Sequence, residues 1–178
     1  MTETYWLSDD GLVPNNDQLP AVVYRAALPV GADAETDIIR HFADNGWANA
    51  WVNGIYPFHH YHATVHEVLG IARGQAIAQL GGASGPTLHL SAGDAVIIPA
   101  GTGHCRLGQS SDLSVVGAYP EGAGWDLVRA TSEARLAALP VIALVPVPRL
   151  DPVLGGSFTR YPARRHSGSN APPAPPEA

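Results

Sequence analysis

The chain has 178 residues, 46% hydrophobic and 15% charged, with a formal net charge of −6, one cysteine, and ten basic residues that are all arginine. That length and apolar fraction suit one domain with a single buried core. The absence of lysine excludes Schiff-base, pyridoxal-phosphate and phosphate-loop chemistry, and a lone Cys105 excludes an intrachain disulfide or a thiolate metal cluster.

The acidic balance argues against nucleic-acid or anionic-membrane partners. The N-terminus carries acids where a secretory signal needs bases, and no run approaches the ~18 apolar residues of a membrane helix. The expectation is a soluble cytoplasmic protein.

Residues 1–20 are polar and turn-rich, and Ala21–Leu28 then reads as a strand. A helix follows over 34–44, with Asp33 as N-cap, an apolar stripe of Ile38, Ile39 and Phe42, and Asn45-Gly46 as its stop. From Trp47 the texture changes to short β-like runs at Ala50–His62, Glu67–Ala72, Gln75–Leu80, Thr87–Leu90, Ala95–Pro99, Cys105–Leu107 and Leu113–Tyr119. Gly- and Pro-rich separators between them, with no helices, indicate a β-sandwich or small barrel. A second helix is expected from a Ser132 cap to Leu139, where Pro140 ends it. The Pro-rich stretch 163–178 reads as a disordered tail.

Four of the eight histidines fall between residues 59 and 66. On a strand, His60 and His62 share a face because side chains alternate with period two, so both can reach one ion. A turn through Ala63–Val65 would bring in Glu67 as an oxygen ligand, and His104, beyond the tight turn 99–103, could supply a fourth donor. Alternation turns the neighbouring His66 outward, but a bulge would exchange it with Glu67, which leaves His66 as the alternative ligand. Three imidazoles and a carboxylate suit Fe, Mn, Co, Ni, Zn or Cu and leave coordination positions open. Cys105 should face away from the site. Tyr56 shares the parity of His60 and offers a hydroxyl for orienting a substrate or relaying a proton. Arg106 shares the parity of His104 and offers a carboxylate clamp.

These residues resemble the cupin superfamily, also called RmlC-like cupins. Its first motif runs Gly, five residues, His-x-His, three or four residues, Glu, six residues, Gly, and is filled by Gly54, His60, His62, Glu67 and Gly74. Its second runs Gly, five residues, Pro-x-Gly, two residues, His, three residues, Asn. Gly93, Pro99, Gly101 and His104 match it, while Gly108 stands where the motif has Asn. The wider pattern, including Asn53-Gly54, the 66–70 run and a late Asp151-Pro152-Val153, is similar to small single-domain bacterial cupins of unassigned reaction.

The resemblance implies a mainly β fold, a double-stranded β-helix (jelly-roll) barrel with a short N-terminal and a short C-terminal helix. It divides the chain into an extension over 1–49 packed on the barrel, the barrel at 50–125, a helix and extended segment at 126–162, and the tail. It also implies one divalent transition metal, with Fe(II) favoured. The function expected is a metal-dependent enzyme of oxygenase type acting on a small molecule. A redox-silent metal-dependent isomerase and a non-catalytic metal or ligand binder, for sensing or sequestration, are the alternatives. Barrel pairing through faces or edge strands would make the protein a homodimer.

Overall fold

The computed structural model describes residues 1–158; the tail expected over 163–178 lies outside them. Eleven strands and two helices follow in chain order. They are β1 (Thr2–Tyr5), β2 (Ala21–Tyr24), α1 (Ala34–Asp44), β3 (Trp47–Asn53), β4 (His60–Tyr61), β5 (Glu67–Arg73) and β6 (Gln75–Leu80). After these come β7 (Thr87–Ser91), β8 (Ala95–Ile98), β9 (His104–Gln109), β10 (Ser114–Pro120), β11 (Val128–Arg129) and α2 (Ser132–Ile142). They form a six-stranded sheet ordered β1-β2-β8-β5-β10-β3 and a five-stranded sheet ordered β11-β4-β9-β6-β7. Every pairing is antiparallel.

Period-two alternation explains how one strand serves two layers. On β5, Leu69 and Ile71 join Val23, Val96 and Ile98 of the same sheet and Ala78, Leu80 and Leu88 of the other, in a core between the sheets. The intervening Val68 and Ala72 pack outward against Ile38 and Phe42 of α1. Covering both faces in this way makes six consecutive β5 residues buried and erases the usual alternation of polarity. Gly74, with φ of +69°, then carries the chain from one sheet to the other between β5 and β6. A Cβ there would also collide with the Ser110 hydroxyl, so the motif glycine answers both to conformation and to space.

Several local expectations differ from what forms. The run expected as one strand over 50–62 is two strands, β3 and β4, with the irregular stretch 54–59 between them, where Pro57 lacks an amide proton for the ladder. The polar N-terminus contributes β1, which pairs with β2 and extends the larger sheet. The α1 helix has its expected bounds, but Asp33 makes no side-chain capping bond. Helix α2 is capped by Thr131, whose hydroxyl accepts from the Ala134 amide, and it continues through Pro140 to Ile142. Proline in the last turn removes one backbone bond, and the packing of Ala138 and Ile142 against Val13, Tyr61 and Ala100 holds the turn. No helix among the described residues is long and apolar enough to cross a membrane.

Candidate metal centre

Strand pairing assembles the site. His60 on β4 is the direct register partner of His104 on β9, and their ring centroids lie 4.0 Å apart. His62 follows β4 immediately, and all three imidazoles are buried with ligand atoms within 4.8 Å of one another. These three histidines could hold a metal ion. Glu67 opens β5 in the facing sheet and is 2% exposed, with Oε2 at 3.3 Å from both His62 Nε2 and His104 Nε2.

The hydrogen bonds decide which nitrogen of each ring faces inward. Nδ1 of His60 lies 3.0 Å from the Phe58 carbonyl and Nδ1 of His104 lies 3.3 Å from that of Thr102, while Nδ1 of His62 contacts the Asp126 carbonyl. A carbonyl oxygen only accepts, so each Nδ1 carries a proton and Nε2 is the nitrogen turned inward, with a lone pair to offer when the ring is neutral. Burial and the neighbouring imidazole of His104 push the His60 pKa down to about 3, so that ring is neutral at ordinary pH. Burial works to lower His62, but the Glu67 carboxylate outweighs it and leaves the His62 pKa raised. Burial alone would raise Glu67; His104 and His62 overcome it and hold the carboxyl well below its usual range.

Glu67 Oε2 is buried without an aligned hydrogen-bond donor. A carboxylate oxygen 3.3 Å from two imidazole nitrogens needs a cation between them, either a metal ion or, as the raised His62 pKa allows, a proton on one ring. Ligand bonds of ~2.1 Å place adjacent donors about 3.0–3.4 Å apart around tetrahedral or octahedral ions, which the 3.3 Å spacing matches. The residues therefore fit a divalent metal.

The other oxygen of Glu67 accepts from the Tyr119 hydroxyl at 3.0 Å, and that hydroxyl accepts from Trp51 Nε1 at 2.8 Å. Motif spacing marks neither Tyr119 nor Trp51 as part of the centre. The one local signal is Gly117 in mid-strand, where a Cβ would overlap the Trp51 indole. The loop before β11 adds Trp125, which stacks on Tyr119 with centroids 6.3 Å apart and meets His62 edge-on at 5.8 Å. Asp126 holds that loop down: its carboxylate accepts from the amides of Ala63 and Thr64 at 3.0 and 3.1 Å.

His66 points elsewhere. Its Nδ1 accepts from the Ala100 amide at 2.9 Å and its Nε2 donates to the Pro146 carbonyl at 3.2 Å, so both ring nitrogens are committed to backbone. Burial pushes its pKa down to about 4. Cys105 is buried off the site, while Tyr56 and Arg106 both line the cavity above the imidazoles. Tyr56 is 47% exposed, with its ring edge-on to His60 at 5.2 Å. The cavity has a volume of about 730 Å³ and reaches from the imidazoles past Trp51 to Arg73 and Glu35.

Two facing antiparallel sheets bring together the His-x-His, Glu and His donors at cupin-motif spacings, an arrangement similar to a cupin barrel. No family model matches the chain. It belongs to the family of YjlB, an uncharacterized protein of Bacillus subtilis (strain 168), with 42% identity over 154 residues that span 86% of this chain and 91% of that protein. Among solved structures it is similar to the acireductone dioxygenase of Bacillus anthracis with a cadmium ion in its active centre. That match has 17% identity and a TM-score of 0.42 over 59% of this chain and 80% of that one. A cupin-like protein from Thermotoga maritima is 20% identical, with a TM-score of 0.34 over 76% of this chain and 94% of the other.

Proposed function

We propose that the chain is a metal-dependent enzyme acting on a small molecule, with His60, His62, Glu67 and His104 holding one divalent transition ion. The observation that carries this reading is the convergence of acceptors: imidazole lone pairs aimed at a buried carboxylate oxygen that has no aligned donor of its own. Four such donors leave two positions free on a six-coordinate ion, and Fe(II) is the favoured metal. When bound, the ion supplies the redox or Lewis-acid chemistry.

The chain's own residues do the rest. The carbonyls of Phe58, Thr102 and Asp126 fix the ring tautomers, and the Tyr119 hydroxyl turns Glu67 so that one oxygen faces the site. Trp51, Trp125 and Tyr119 give one side of the cavity an aromatic wall. Tyr56, at the mouth, is placed to orient a substrate or to exchange a proton through its hydroxyl. A cavity of about 730 Å³ beside the donors supports a small-molecule ligand next to the metal, since it falls in the ~300–1,000 Å³ range of small-molecule sites.

The test is elemental analysis of protein purified without chelator, for wild type and for His60→Ala and His104→Ala. Near-stoichiometric metal in wild type and its loss in both variants is the expected result. Iron together with O2 uptake on small-molecule screening would mark an oxygenase; equal metal content in all three proteins would remove the site.

A further inference from the structure

We infer that the cavity is built to receive an organic carboxylate, held by Arg106. This deepens the reading of the cavity as a substrate site and rests on it. Seven arginines lie among the described residues, and four are spoken for by acids: Arg25 by Glu3 and Asp94, Arg40 by Asp37, Arg73 by Glu35, and Arg135 by Asp9. Of the remaining three, Arg106 alone lines the cavity. Its bonds go only to neutral acceptors, from Nε to the Ile55 carbonyl at 3.0 Å and from one terminal nitrogen to Gln109 Oε1 at 2.5 Å. The second terminal nitrogen is uncommitted, so half of the guanidinium fork is available to an anion.

The side chain is also held in place. Alternation along β9 puts Arg106 on the same face as His104, and its register partner on β6 is the small Ala78. The Arg106 amide donates to the Tyr56 carbonyl at 2.9 Å, so residue and loop fix each other, and the cation is set before any ligand arrives. The charge balance of the cavity points the same way. Glu35 is engaged by Arg73 and Ser114, and Glu67 faces the imidazoles, so among the described residues the uncommitted charge on the wall is positive, in a chain of net −6. Trp51, Leu69 and Leu113 line other parts of the cavity. A matching ligand has a carboxylate at one end and an apolar or aromatic body.

The experiment measures 3-phenylpropionate against its uncharged amide, 3-phenylpropionamide, by titration calorimetry on metal-loaded and chelator-stripped protein. Stripped wild type should bind the acid at least tenfold more tightly than the amide. Arg106→Gln should bring the two to parity, and Arg106→Lys should keep part of the preference. Independently of any variant, the Arg106 Nε–H signal in a nitrogen-15 spectrum should shift with the acid and not with the amide. Parity in stripped wild type, or a preference that survives in Arg106→Gln, would overturn the assignment. A preference confined to loaded protein would do the same, since it would report direct coordination of the carboxylate. The stripped arm needs no metal, so zero metal uptake sinks the metalloenzyme reading alone, and the acid-to-amide ratio still decides Arg106.

Discussion

Tyr119 donates its hydroxyl proton to Glu67 Oε1 at 3.0 Å, and this bond leaves the other carboxylate oxygen aimed at His62 and His104. Burial, and then the Glu67 charge, raise the Tyr119 pKa, so the phenol stays protonated and remains a donor throughout the working range. Tyr119→Phe keeps the ring stacked on Trp125 and removes the hydroxyl, which ends both the bond to Glu67 and the acceptor for Trp51 Nε1. Partners of this kind are worth ~10–100-fold in metal affinity. Competition with a fluorescent chelator should show a loss of that size in a variant that remains folded, and an unchanged affinity would mean that Glu67 is oriented by packing alone.

That bond also marks where the sequence stops being informative. His60, His62, Glu67 and His104 are legible because strand parity and fixed motif spacing are local properties of the chain. Tyr119 lies 52 residues from Glu67 and 68 from Trp51, and only the pairing of β10 with both β5 and β3 brings the three together. Helix α1 is legible from its apolar stripe. The break at 54–59 is harder to read, because a continuous apolar run, Ile55 to Phe58, passes through Pro57 while the backbone of that stretch serves β9, through the Arg106 bonds to Ile55 and Tyr56. The choice between His66 and Glu67 turns on which side chain finds backbone partners, Ala100 and Pro146 in this case, and spacing alone carries no such information.

His66 should make the protein acid-sensitive without touching the metal. Its folded pKa of about 4 lies below the unfolded value of ~6.5. Between those values the unfolded chain binds a proton that the folded one does not, so stability is full above pH ~6.5 and falls as the pH drops toward 4. At pH 5 the loss from this one group is about 2 kcal/mol. His60, also depressed, adds in the same direction. Urea unfolding of chelated wild type and His66→Gln between pH 7.5 and 5 isolates the share of His66. The variant should start less stable and lose less on acidification, and parallel curves would refute the assignment.

Asp126 serves two functions in one residue. Its backbone carbonyl accepts from His62 Nδ1, and its carboxylate accepts from the Ala63 and Thr64 amides and from the Thr64 hydroxyl at 2.6 Å. These charge-assisted bonds hold the Trp125 loop against the strand end that carries His62. Asp126→Ala removes the carboxylate bonds and leaves the carbonyl free to drift. The expected cost is about 1–3 kcal/mol in unfolding free energy. The more specific readout is faster metal release in a chelator chase. A stability loss with an unchanged release rate would assign Asp126 to the loop and not to the centre.

Metal removal gives the broadest check on the donor set, because an ion held by β4, β5 and β9 together can bind only when the two sheets face each other. Binding to the folded state alone stabilises it by mass action, by about 2.7 kcal/mol when free metal stands at 100 times the dissociation constant. Calorimetric unfolding midpoints should therefore rise with added metal and fall with chelator in wild type, in step with the metal concentration. His104→Ala removes one imidazole and leaves Glu67 facing His62 alone, so its midpoint should ignore both additions. A wild-type midpoint equally indifferent to metal and chelator would mean that the converging lone pairs are satisfied by a proton between His62 and Glu67, and that the centre holds no ion.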